Sequence, residues 1–313
     1  MKNKIALIGA ASGWGAGDRR TGKGPEALRA WGLDERLQED HLAAHWADMV
    51  ETVAHEGQVH IHTREDTYPL VLEQCQKLAE CVEVTLHKHE FPVVIGGDHS
   101  IAMGTWSGII TALKAQQKFG LIWFDAHMDA HTPETAHQGA WGGHYHGQPL
   151  AHLLGQGDKD LQHIASAKTK LAPQHVVLVG IRSFEPGEAA LLKKLKVRVI
   201  FMEEVLEKGI DWALDEALKI ASKAPGGFGM TIDLDGFDPA DAPGVGTPES
   251  VGVKAAQALP GFARIGAHPN FKALEITEYN PARDSSGKTA ELTETLIATI
   301  AGAAVGSAHK KAG

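Results

Sequence analysis

Phe119-Gly120-Leu121-Ile122-Trp123-Phe124-Asp125-Ala126-His127-Met128-Asp129 is the stretch on which the fold turns. An apolar run of strand length ends in three oxygen or nitrogen donors at every second position. Extended backbone sends alternate side chains to one face, so Asp125, His127 and Asp129 can converge while Ala126 and Met128 pack away. Two further segments share this design. Gly96-Gly97-Asp98-His99-Ser100 follows the apolar Pro92 to Ile95, and Thr231-Ile232-Asp233-Leu234-Asp235-Gly236 again spaces two carboxylates by two. Each cluster sits where a strand is expected to end.

Strands and helices alternate outward from this centre. Strands are expected at Lys4 to Gly9, to Ile95, at Phe119 to Phe124, Val176 to Gly180, Val197 to Met202, Phe228 to Leu234 and Lys272 to Thr277. Pro25 occupies a first-turn position ahead of a helix at Glu26 to Trp31. Val71, Cys75, Leu78, Val82 and Leu86 recur at three or four, predicting an amphipathic helix over Tyr68 to His89. Further helices are expected near Ile101 to Ala115, Glu188 to Leu195, Asp211 to Ala224 and Thr289 to Ala304. Such alternation predicts an α/β fold: a single-domain three-layer α/β/α sandwich with a mostly parallel sheet, spanning residues 1–308 before a polar tail, His309 to Gly313. Ligands of such sheets bind outside the carboxyl ends of the strands, where the three clusters lie. The irregular stretch Ala130 to Pro149 is long enough to be an active-site loop.

The 313 residues suffice for one large core, and the formal net charge of −9 with no basic stripe argues against nucleic acid as partner. Neither a secretory signal nor a membrane span is legible near the start, so the cytoplasm is the expected compartment. Cys75 and Cys81 fall six apart on the expected helix, too far round it to bridge, and read as buried small hydrophobes. The 18 histidines are unusual, and several fall in the donor-rich segments.

His99, Asp125, His127, Asp129, Asp233 and Asp235 exceed what one tetrahedral zinc needs and suit two metals. A carboxylate-rich set with few imidazoles favours Mn²⁺, two per subunit, with Ni²⁺, Co²⁺ or Zn²⁺ as substitutes. Two ions about 3.5–4 Å apart can lower the pKa of a bridging water toward neutrality. One such residue alone would more often be a cap or turn former; three clusters at strand ends point to a site. Asp98 points away from His99 in the alternation, so loop capping or support of a neighbouring ligand is as open a reading as ligation.

These segments resemble the metal-binding signatures of the ureohydrolases, the arginase and agmatinase superfamily, from Ile5 to Pro281. Gly24-Pro25-Glu26-Ala27-Leu28-Arg29, following the first strand at once, is most similar to arginases. The resemblance implies that one metal is held by His99, Asp125, Asp129 and Asp233, and the other by Asp125, His127, Asp233 and Asp235. It further implies that Glu278 pairs with a substrate guanidinium, that His146 shuttles protons, that Asp129 relays a proton to the departing amine, and that Thr247 lines the metal site. The implied reaction is attack of a metal-bridging hydroxide on the guanidinium carbon of L-arginine, or of a close guanidino compound, giving urea and an amine. Trimers or hexamers are common in the family.

The substrate-contact positions depart from the arginase pattern. His131 stands for Asn, Gly142 and His144 for Ser and Asn, and Ser183 and Glu185 for two aspartates, while Glu188 is retained. The imidazoles of His131 and His144 can still donate to a carboxylate, and Glu185 can still meet an ammonium; loop variation at the mouth is the alternative. His137, Trp141 and Tyr145 either stack on a planar cation or fold the loop onto the body. Ala242 to Gly246 and Asn280-Pro281 followed by Asp284 resemble formiminoglutamases, so formiminoglutamase, agmatinase and guanidino-acid hydrolase stand as alternatives. A metal-dependent binding protein of weak activity is a further one.

Overall fold

The computed structural model describes residues 4–54, 64–136 and 144–309. Its strands are β1 (Ile5–Ala11), β2 (Ala44–Glu51), β3 (Phe91–Gly96), β4 (Gly120–Phe124), β5 (Val176–Ile181), β6 (Arg198–Phe201), β7 (Phe228–Asp233) and β8 (Phe271–Thr277). They form one sheet in the order β2-β1-β3-β8-β7-β4-β5-β6, every neighbouring pair parallel. The chain leaves β3 on one side of the sheet, resumes at β4 on the other, and only later fills the gap with β7 and β8. The carboxyl ends of β3, β8, β7 and β4 therefore stand side by side at the crossover, the place where open parallel sheets bind ligands.

Alternation along the strands divides the core into two layers. Val93, Ile95, Ile122, Phe124, Val177 and Val179 pack on one face with helices Ile210–Ala221, Ala255–Gly266 and Lys288–His309. Val94, Leu121, Trp123, Val176 and Leu178 pack on the other with helices Arg64–His87 and Ala102–Ala112. With both faces covered, the three-layer sandwich is complete. Each fully buried Val, Leu, Ile or Phe contributes roughly 1.5–3 kcal/mol, a reserve from which the cost of burying a charged cluster between these strands is offset.

Several elements carry no clear pattern in the sequence. β2 is an edge strand whose side chains are mostly half-buried, so it lacks an apolar run. Helix Ala255–Gly266 contains Pro260 and Gly261, residues that ordinarily punctuate helices; Gly261 sits against Leu214, with no room for a Cβ. The closing helix runs to His309, beyond the expected Ala304, because Val305 still buries against the core. The expected tail thus begins on the last helical residue, and residues 310–313 lie outside the described residues. Cys75 is buried and Cys81 only half-buried, its thiol facing Asp48; neither forms a disulfide. No helix among the described residues is long and apolar enough to cross a membrane.

Candidate metal centre and substrate cavity

β3 ends at Gly96, and His99 opens a single helical turn, His99–Ile101. Asp98 caps that turn: Oδ1 accepts from the Ser100 amide at 2.9 Å and Oδ2 from the Gly15 amide at 2.9 Å. Of the readings open for Asp98, the loop cap is the one these contacts support. Asp125 follows β4, and Asp233 closes β7 with its Oδ1 accepting from the Asp235 amide at 2.9 Å. Alternation along an extended run is not what brings Asp129 to its neighbours, as the sequence suggested. β4 stops at Phe124, and Asp129 adopts a left-handed backbone, φ 49°. That conformation costs a non-glycine residue about 1–3 kcal/mol and recurs at functional sites.

The six expected ligands meet. His99 Nδ1 lies 3.1 Å from Asp125 Oδ2, 3.0 Å from Asp129 Oδ2 and 3.1 Å from Asp233 Oδ2. His127 Nδ1 lies 3.5 Å from Asp125 Oδ1 and 3.2 Å from Asp235 Oδ2. Asp125 thus faces both imidazoles, and two triads, His99 with Asp125 and Asp233 and His127 with Asp125 and Asp235, have the spacing of a cation site. All but the half-buried His127 are buried. His127 Nε2 reaches Glu249 Oε1 at 3.6 Å, a neighbour only the tertiary structure reveals.

His99 is oriented from behind. Its ring stacks on Trp123 at 4.3 Å, and its Nε2 lies 2.9 Å from Thr231 Oγ1, which donates to Glu275 Oε1 at 2.8 Å. With its one hydrogen directed to Glu275, Thr231 accepts from Nε2–H, so in the neutral ring Nδ1 carries the lone pair. That buried Nδ1 has no hydrogen-bond partner.

Burial, and then repulsion from Asp125, push the Asp129 carboxyl up to about 6. Burial, with Asp235 and Asp125, holds Asp233 well above the carboxylate range. Asp125 is the exception: burial opposes its charge, but the facing His127 and His99 imidazoles, protonated while no metal is bound, outweigh that and hold it low. Four carboxylates against two imidazoles leave an excess of buried negative charge, which is costly without counterions. With the unpartnered imidazole nitrogen, this donor set fits divalent metal.

Glu278 follows β8 at φ 67°, a second left-handed non-glycine residue. Its Oε1 accepts from the His99 amide at 2.9 Å and lies 3.2 Å from His146 Nδ1, while its buried Oε2 has no partner. Gly246 leaves that oxygen its space, since a Cβ there would stand 2.4 Å from Oε2. Burial disfavours the His146 cation, yet Glu278 outweighs it and raises the imidazole to about 9. A cavity of about 280 Å³ opens here, lined by His144, His146, Thr247 and Glu278 among the expected residues, and by Asp18 and Arg283, which the sequence did not single out. It lies near the small end of small-molecule sites, roughly 300–1,000 Å³. Thr247 Oγ1 also donates to Asp235 Oδ2 at 2.9 Å, tying the cavity wall to the donor cluster.

His131 and Glu185 are brought to each other instead. His131 Nε2 lies 2.9 Å from Glu185 Oε2 and 3.4 Å from Glu188 Oε2, and neither His131 nor Glu185 is among the described residues lining the cavity. Glu185 and Glu188 form a capping box on helix Pro186–Leu195, and Glu188 Oε1 also accepts from the Ala130 amide at 3.0 Å. Glu188 thereby fixes the backbone just beyond Asp129. Tyr145 packs on Tyr68, ring centroids 5.8 Å apart, so it folds the loop onto the body. His137, Trp141 and Gly142 lie outside the described residues.

A sequence model of the Arginase family matches residues 3–302. The chain belongs to the arginase family. It is 33% identical to an arginase of Bacillus caldovelox over 302 residues, covering 95% of this chain and 98% of that one. It is 34% identical to an arginase of Bacillus subtilis, covering 96% and 99%. The crystal structure of arginase from Bacillus cereus superposes with a TM-score of 0.84 at 30% identity, covering 96% and 98%. Membership makes the chain a hydrolase of guanidino C–N bonds and implies a divalent metal cofactor, for which the two triads are the candidate ligands.

Proposed function

We propose that this protein is a dimanganese amidinohydrolase that cleaves the guanidino group of L-arginine, or of a close guanidino compound, to urea and an amine. The observation that carries this reading is the unpartnered, buried Glu278 Oε2 in the wall of a cavity that adjoins the six-donor cluster. A carboxylate so placed suits a planar cation donating two N–H groups.

His99, Asp125, Asp129 and Asp233 would hold one cation, and Asp125, His127, Asp233 and Asp235 the other. Cations bound there supply the Lewis acidity that makes water nucleophilic near neutral pH. Glu278 Oε2 receives the guanidinium and fixes its plane, so the carbon is presented to the cluster. The Asp129 carboxylate takes the proton released in the attack and passes it to the departing amine. His146, hydrogen-bonded to Glu278 and partly open to solvent, exchanges protons with bulk water. A homo-oligomer, by family resemblance, and a cytoplasmic location belong to the same reading.

Urea release from L-arginine, agmatine and 4-guanidinobutyrate, measured side by side after loading with Mn²⁺, tests the proposal. Release of urea from at least one is expected. Formamide from formiminoglutamate, with no urea from any of the three, would replace this reading by a formiminoglutamase.

A further inference from the structure

The charge pattern of the cavity bears on the far end of the substrate and rests on the guanidino reading above. Its buried end is Glu278, side chain 1% exposed; its open end carries Asp18 and Arg283, 24% and 39% exposed. The Asp18 carboxylate is already filled. Oδ1 accepts from the Arg20 amide and Nε at 3.1 and 2.8 Å, and Oδ2 accepts from Arg20 Nη2 at 2.6 Å and Asn280 Nδ2 at 3.1 Å. Arg283 Nε approaches Oδ2 only to 3.8 Å, too far for a hydrogen bond, and its guanidinium makes none among the described residues.

Arg283 is nevertheless held in place. Asn280 is fully buried and caps the turn Pro281–Arg283 through Oδ1, which accepts from the Ala282 amide at 3.1 Å, while its Nδ2 ties that turn to Asp18. Two guanidinium groups face one carboxylate at the mouth, so a positive charge is left over opposite the negative Glu278. Among the described residues, the acid the sequence offered for an ammonium, Glu185, is paired with His131 and does not line the cavity.

We propose that Arg283 anchors a carboxylate at the far end of the substrate, so that the site takes ω-guanidino carboxylic acids in preference to guanidino amines. Guanidinium inside and carboxylate outside complement Glu278 and Arg283, and the fork of Arg283 suits bidentate pairing. An amine tail would meet the surplus positive charge.

The test compares kcat/KM for 4-guanidinobutyrate, L-arginine and agmatine in Mn²⁺-loaded wild type, Arg283→Met, Arg283→Lys and Arg283→Glu. Arg283 is exposed, so these variants should fold. Wild type is expected to favour the two carboxylates. Arg283→Met should lower the ratio of 4-guanidinobutyrate to agmatine by roughly 10–100-fold, mainly through KM; Arg283→Lys should restore part of it and Arg283→Glu lower it further. A ratio that moves less than about threefold, or a wild type that prefers agmatine, overturns the assignment. Calorimetric titration with 4-guanidinobutyrate separates the two levels of inference. If no guanidino compound releases urea, the reaction reading fails; weaker binding by Arg283→Met than by wild type would still sustain the anchor, and equal binding would remove it.

Discussion

His99 Nε2 and Thr231 Oγ1 lie 2.9 Å apart, and this contact decides which nitrogen of a buried imidazole is free to hold a metal. The hydroxyl donates its hydrogen bond to Glu275, which also accepts from Trp106 Nε1 at 2.9 Å. A metal-ligating histidine depends on such a partner for tautomer and ring orientation.

Thr231→Val removes the acceptor while keeping the shape. Metal affinity should fall about 10–100-fold, read as Mn²⁺ retained against a competing chelator, with the thermal transition confirming a folded chain. Unchanged affinity in a folded variant would show that Thr231 does not set the tautomer.

Asp129→Asn tests the proton relay. The amide keeps an oxygen toward the cluster but cannot take up a proton, so turnover should fall on the order of 10²–10⁴-fold. Metal content should be measured on the same sample. Substantial activity in a fully loaded variant would sink the relay.

Gly246→Ala places a Cβ against Glu278 Oε2, which must then move. The expected outcome is a KM raised at least about tenfold with metal content unchanged, because the proposed mechanism has Glu278 orient the substrate. A KM equal to wild type would separate Glu278 Oε2 from substrate binding.

Removing metal should make stability depend on pH in a defined direction. The carboxyl of Asp129 is raised to about 6 and that of Asp233 well above its usual value, so in the metal-free fold they bind protons that the unfolded chain has released. Stability then falls as pH rises from about 4 through their folded values. His99 and His127 are also raised well above 6.5, so their contribution is complete below 6.5 and is lost as pH climbs through their folded values. Both effects run the same way. The thermal transition of chelator-treated protein should drop between pH 5 and pH 8, and Mn²⁺ should raise it more at pH 8 than at pH 5. A transition flat in pH after chelation would contradict the buried-charge account.

The donor cluster was legible because the signal is local: a run of apolar residues stops, and oxygen and nitrogen donors recur at short spacing just beyond it. Asp125, His127, Asp233 and Asp235 need only that pattern to be noticed. Glu249 behind His127, and Asp18 and Arg283 at the cavity mouth, carry no such pattern; each is an ordinary charged loop residue until the chain is folded. His131 and Glu185 show the converse, residues marked by their positions whose side chains then spend their hydrogen bonds on each other.

By itself the sequence determined that strands alternate with helices, that the sheet is mostly parallel, and that oxygen-rich donors stand at strand ends, because periodicity and turn chemistry act over a few residues. Only the tertiary structure decided that β8 enters between β3 and β7, bringing Glu278 to the backbone amide of His99 across 179 residues of chain. It likewise decided that Asn280 holds Arg283 beside Asp18, 262 residues from Asn280. Strand order follows from how the helices cover both faces of the sheet, a global packing condition that no local stretch encodes.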